Sequence, residues 1–209
     1  MSFGEEYRGI VSHYEACLER FGDTHRGVDW PDETGAATRY QVMFDVIREK
    51  DTPVSLLDFG CGASHFYEWM LRGDVKHVSY SGLDLSKRFV DLSRQKFPEL
   101  TVYHADVLVE PAAVPDFDYI VMNGVFTEKC QLSQESMVSY FERLVPTVFA
   151  KARRGIAFNL MSTHVDWERE DLFHLSHDAL ADFLVRNVSR HYAIRADYKL
   201  YEYTTYVYR

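Results

Sequence analysis

The sequence predicts a doubly wound α/β fold: a mainly parallel sheet of about seven strands, helices on both faces, and an antiparallel hairpin at the C-terminal end. Two observations carry this. From residue 54 onward, apolar strand-like runs alternate with stretches of helical periodicity, the pattern of right-handed crossovers between parallel strands. The last two strand-like runs have no helix between them and should therefore pair antiparallel. The 209 residues, 46% hydrophobic and 26% charged, suffice for one well-buried domain and fall short of two. No repeat, linker or low-complexity segment divides the chain. We expect a single domain over 1–209, with residues 1–52 as an N-terminal helical cap and 53–209 as the α/β core.

Each element has its own signal. Residues 5–20 place Tyr7, Ile10, Val11, Tyr14, Cys17 and Leu18 on one helical stripe. The loop "FGDTHRGVDWPDETG" is rich in turn formers, and a second helix follows over about 35–50, with Tyr40, Met43, Phe44 and Ile47 at helical spacing. Strands are expected at 54–59, 78–83, 100–104, 117–122 and 155–160. Helices at about 65–72, 86–96 and 134–152 separate them. The last contains Pro146 and is expected to kink or break there. A helix at about 177–189 is capped by Ser176. "HYAIRAD" and "YEYTTYVY", joined by "YKL", form the hairpin, whose tyrosines serve sheet packing.

Composition narrows the function. A net charge of −9 without a Lys/Arg cluster disfavours a phosphate backbone as partner, so no nucleic acid is expected. Three widely spaced cysteines, Cys17, Cys61 and Cys130, form no disulfide framework and fit a reducing compartment. The start "MSFGEEYRGI" is not a signal peptide, and no apolar run approaches the ~20 residues that span a bilayer. We expect a cytoplasmic monomer or homodimer with no membrane partner.

In a doubly wound sheet, ligands bind beyond the carboxyl ends of the strands. After the first strand stands "DFGCGASH", where Gly60 and Gly62 allow a sharp turn and close backbone approach. A dinucleotide fingerprint would need a glycine at His65, a P-loop would need a Gly-Lys-Ser/Thr, and a kinase its H-R-D; all are missing. After the second strand comes "GLDLS", with Asp84 placed to accept ribose hydroxyls. "HADVL" follows the third, where Asp106 could accept from an adenine amine. "MNGVF" follows the fourth, with Asn123 and Gly124 along the remaining edge.

This set of strand-end signals resembles the class I, Rossmann-like S-adenosylmethionine-dependent methyltransferases of small molecules, over roughly residues 54–160 and the closing hairpin. The resemblance implies S-adenosyl-L-methionine as cofactor. It implies that the loop of Asp58, Gly60, Cys61 and Gly62 wraps the methionine part. Asp84 and Leu85 would meet the ribose, Asp106 and Val107 would flank the adenine, and Asn123 with Gly124 would close the edge. Ser64 stands where the family often has a third glycine. Trp30 and Arg39 occupy places similar to a tryptophan and an arginine that precede the first strand in small-molecule members. Arg39 would pair with the methionine carboxylate as a two-point donor.

The activity so implied is in-line methyl transfer to a small O- or N-acceptor. Candidates for the chemistry are His65 and Asn123, with Asn159 and His164 also near strand ends. "NGVF" resembles the N-P-P-[YF] motif of amino-group methyltransferases without its prolines. His174 and His177 lie three apart with no third ligand in view, and Cys130 reads as a small hydrophobe, so no metal site is expected. The alternatives are a non-catalytic cofactor-binding subunit or sensor, and a nicotinamide-dependent oxidoreductase. The missing third glycine and the short chain count against the latter.

Overall fold

A computed structural model describes residues 7–209. The helices and strands fall in the expected order. They are α1 (Arg8–Phe21), α2 (Glu33–Phe44), β1 (Val54–Phe59), α3 (His65–Arg72), β2 (Val78–Asp84), α4 (Lys87–Lys96) and β3 (Val102–His104). Then come β4 (Phe117–Met122), α5 (Gln134–Lys151), β5 (Ala152–Met161), α6 (His177–Asn187), β6 (Tyr192–Arg195) and β7 (Glu202–Tyr208). Short 3-10 turns sit at His25–Val28 and Pro111–Ala113. Residues 5 and 6 of the expected first helix lie outside the described residues.

The seven strands run in the order β3-β2-β1-β4-β5-β7-β6. β1 to β5 pair parallel, while β7 lies antiparallel between β5 and β6, which gives the closing hairpin. Strand order reverses between β1 and β4, so the ligand crevice is expected at the ends of β1, β2 and β4.

Alternate residues of each strand feed opposite cores. Leu57 and Phe59 of β1, Ile120 and Met122 of β4, and Phe158 of β5 pack with Ile10 of α1, Phe141 of α5 and Leu184 of α6. Leu56, Tyr119, Val121 and Ala157 face the other way, against Met43 of α2, Phe66 of α3 and Val90 of α4. The C-terminal tyrosines follow the same alternation: Tyr203 joins the first core, Tyr206 and Tyr208 the second.

Two details depart from the sequence reading. Helix α5 runs unbroken through Pro146; its buried stripe, including Leu144, Val145 and Val148, holds the backbone against the sheet despite the lost N–H. Helix α2 ends at Phe44, earlier than expected, and Val46 and Ile47 are buried beyond its end. Among the described residues, no helix is long and apolar enough to cross a membrane.

Candidate active site

The loop after β1 is built around its own backbone. Gly60 (φ 77°) and Gly62 (φ 52°) take left-handed conformations, and a Cβ on Gly60 would lie 2.9 Å from a Val125 methyl. Ser64, at the third-glycine place, also has φ 57°. A non-glycine residue there costs about 1 kcal/mol. Ser64 is held by a buried relay: its hydroxyl donates to Ser93 Oγ (2.9 Å), and the Ser93 hydroxyl donates to the Gly62 carbonyl (2.9 Å). The departure from glycine is thus compensated by hydrogen bonds from α4.

Asp84, the last residue of β2, fastens this loop to the neighbouring strand. Its carboxylate accepts the Gly62 N–H (2.9 Å) through one oxygen and the Ser86 N–H (2.8 Å) through the other. Burial raises its pKa, while those N–H groups favour the charged form. Asp58 lies deeper and accepts from the Tyr80 hydroxyl (2.6 Å).

Burial pushes the Asp58 carboxyl from 3.8 up to about 7, against the Tyr80 hydrogen bond and with a smaller push from Asp84. The native state therefore keeps a proton that the unfolded chain has lost above about pH 4. Its contribution to stability falls as pH rises from there to about 7. The stability difference between wild type and Asp58→Asn should move against the wild type over that range in thermal unfolding. A difference that stays constant with pH would mean Asp58 is ionised throughout.

A cavity of about 130 Å³ opens between these strand ends, lined among others by Asp58, Gly60, Gly62, Asp84, Asn123 and Tyr14. Helix α1 forms its roof: the stripe Tyr7, Ile10, Val11 and Tyr14 faces the cavity. Three hydrogen bonds anchor the helix, one to each of three strand-end loops. Tyr7 donates to Asp106, the Ser86 hydroxyl donates to Glu15, and Tyr14 donates to the Gly124 carbonyl (3.2 Å). Burial drives the Tyr14 phenol well above its ordinary pKa, so it stays a donor.

A buried polar network supports the far wall. Arg39 forms a bidentate pair with Glu202 (Nε–Oε2 2.9 Å, Nη2–Oε2 2.8 Å, with Nε also 3.1 Å from Oε1). Asn159 Nδ2 donates to Glu202 (3.0 Å), and Asn159 Oδ1 accepts the Gly124 N–H (2.8 Å). Trp30 stacks under the Arg39 guanidinium at 4.2 Å and leaves no room for a Cβ on Gly124, which would lie 2.9 Å away.

The structure brings most of the sequence candidates together. Asp58, Gly60, Cys61, Gly62, Asp84, Leu85, Asn123, Gly124, Trp30 and His65 all line the cavity. Asn123 Oδ1 is buried without a hydrogen-bond partner. The His65 ring is held by Asp23 (Nε2–Oδ1 2.7 Å). Three residues are placed differently. Arg39 does not line the cavity, and the carboxylate it holds is that of Glu202. Asp106 lines a neighbouring open concavity with His104, while its Oδ2 takes the Tyr7 hydroxyl. Val107 packs in the core and does not reach the cavity. The sequence reading expected the first 50 residues to cover the pocket, but did not single out Tyr7 and Tyr14 as the residues that roof it.

Beyond Tyr14, a second polar cluster gathers under α1. His13 Nε2 is 2.7 Å from Asp29 Oδ2 and 3.8 Å from Cys17 Sγ. Glu128 and Cys130 approach from the loop after β4. Burial, with Asp29 nearby, raises the Glu128 carboxyl to about 7, and burial raises the Cys130 thiol to about 11.

Solved structures share this fold across nearly the whole chain. Magnesium protoporphyrin IX methyltransferase (ChlM) from Synechocystis PCC 6803, with bound SAM, has a TM-score of 0.66 at 13% identity, covering 97% of this chain and 96% of that one. Human N-acetylserotonin methyltransferase in complex with SAM has a TM-score of 0.60 at 12% identity, covering 98% of this chain and 66% of that one. Residues 57–145 match the family model for a methyltransferase domain. The fold is the Rossmann-like one of these structures, and the segment that matches the methyltransferase-domain model holds the glycine loop, Asp84 and Asp106. A sequence relative in Mycobacterium tuberculosis (strain ATCC 25618 / H37Rv) bears the name "Putative methyltransferase Rv1506c". It is 28% identical over 157 residues, 74% of this chain and 93% of that protein.

Proposed function

We propose that the chain transfers the methyl group of S-adenosylmethionine to a small-molecule acceptor. The observation that carries this reading is the Gly62 N–H bound to the Asp84 carboxylate at the sheet's switch point. It sets a backbone cradle and a ribose-accepting acid on one cavity wall. The residues fit the cofactor. Two left-handed glycines border the space, and a Cβ on Gly60 would strike Val125. The buried Asn123 Oδ1 lacks a protein partner and offers an acceptor on that wall.

In this reading the Gly60–Gly62 backbone, with Cys61 and Trp30, lies along the methionine part. Asp84 and Leu85 take the ribose, and Asp106 stands at the adenine end beyond Tyr7. When bound, the cofactor supplies an electrophilic sulfonium methyl, so the protein's work is alignment and exclusion of water. The α1 roof excludes water and limits the acceptor to a size that fits beneath it. Of the two residues put forward for the chemistry, Asn123 is the better placed to orient an acceptor, because its carbonyl is free. His65, held by Asp23, stays the second choice. The small-molecule assignment draws support from the structural relatives, whose names specify a magnesium porphyrin and N-acetylserotonin.

Thermal unfolding tests the cofactor. At about 100 times Kd, S-adenosylmethionine or S-adenosylhomocysteine should add ~2.7 kcal/mol, a rise of roughly 5–10 °C for this chain length. NADH should add nothing. A shift from NADH and none from the sulfonium ligand would replace the reading with a dinucleotide enzyme. Release of S-adenosylhomocysteine in a small-molecule acceptor panel then tests turnover, and Asn123→Ala should lower kcat more than the KM for S-adenosylmethionine.

A further inference from the structure

The cluster under α1 lies outside the cavity and has no part in the proposed methyl transfer. Two sets of side chains meet there, and they share His13. In one, His13, Cys17 and Asp29 bring their donor atoms within 4.8 Å of one another; in the other, His13, Glu128 and Cys130 do so. Three separate segments contribute. His13 and Cys17 sit one turn apart on the same face of α1. Asp29 closes the 3-10 turn at His25–Val28. Glu128 and Cys130 are alternate residues of the loop after β4, whose backbone is pinned by the Lys129 and Cys130 N–H groups donating to the Asp171 carbonyl (2.9 and 3.1 Å). All five side chains are partly buried.

We propose that one of these sets is a zinc site, with His13 of α1 and Glu128 and Cys130 of the loop after β4 as its protein ligands. Imidazole and thiolate donors select zinc over magnesium or calcium, which take oxygen ligands. Zinc held by three protein ligands completes its tetrahedral set with a water. The comparison with a third cluster is instructive. Asp23, His65 and Glu68 also converge, but the Lys96 ammonium lies 2.9 Å from Asp23 and 2.6 Å from Glu68 and already serves as their cation. The proposed site would tie α1 to the loop after β4 and so staple the roof to the core. It revises the sequence expectation of no metal site, which considered His174 and His177.

The full chain, stripped with a chelator and kept reduced, should take up one zinc ion per chain. Cobalt(II) in its place should give a thiolate-to-metal charge-transfer band and the intense visible bands of a tetrahedral ion. Cys130→Ser and Glu128→Gln should each weaken zinc binding more than tenfold, because even outer-shell changes cost 10–100-fold. Cys61→Ser should leave binding intact. Absence of the charge-transfer band in the wild type overturns the proposal without any variant. So does zinc binding that survives in the Cys130→Ser, Glu128→Gln double variant. Neither readout depends on S-adenosylmethionine.

Discussion

Asp84→Ala should erase the stabilisation that S-adenosylmethionine and S-adenosylhomocysteine give the wild type. Hydrogen bonds to a charged group contribute about 1.5–3 kcal/mol each. Losing two ribose contacts should therefore weaken binding by about 100-fold or more. The same carboxylate holds the Gly62 and Ser86 N–H groups, so its removal also frees the glycine loop from β2. Asp84→Asn separates the two effects, since it keeps an acceptor oxygen and loses the charge. Its affinity should fall by about tenfold, the intermediate position of a neutral hydrogen bond. Calorimetric titration of the three proteins with S-adenosylhomocysteine gives the ranking directly. Wild-type affinity in Asp84→Ala would remove this acid from the cofactor site.

Arg39→Met should be the most destabilising of the changes considered. The Arg39 side chain is 11% exposed and that of Glu202 1%, so the variant strands a carboxylate in the interior. Removing one partner of a buried ion pair costs about 3–5 kcal/mol, which lowers Tm by roughly 6–20 °C for a chain of this size. The double variant Arg39→Met, Glu202→Leu should recover much of the loss, because it leaves no charge unpaired. At a temperature where Arg39→Met is folded, S-adenosylhomocysteine should still raise its Tm. If that rise disappears while Asp84 is intact, Arg39 reaches the ligand after all, as the sequence resemblance implied.

These two residues also show what the sequence could and could not disclose. The place of Asp84 was legible because its signal is local: an apolar run with an acid at its end. The glycine loop was legible for the same reason. Arg39 was not, because its partner lies 163 residues away and nothing in either segment announces the pairing. Asp106 was correctly set at the end of β3, but its engagement with Tyr7 depends on where α1 crosses the sheet. The stripe of Tyr7, Ile10, Val11 and Tyr14 has the periodicity of any core-facing helix. Periodicity tells which face is buried and leaves open what buries it. At Pro146 a local rule lost to tertiary packing, since seven buried residues along α5 hold that helix against the sheet.

The anchoring of α1 has a kinetic consequence. Were ligand entry to require Tyr7, Glu15 and Tyr14 to leave their loops, the apparent affinity would be the intrinsic one multiplied by the open fraction. A tenfold rarer open state would cost a tenfold weaker apparent Kd with every contact in the cavity unchanged. Under such a gate, spent cofactor would leave no faster than the helix lifts, and that rate would cap turnover. Residues on the outer side of the roof, remote from any reacting atom, would thereby acquire leverage over residence time.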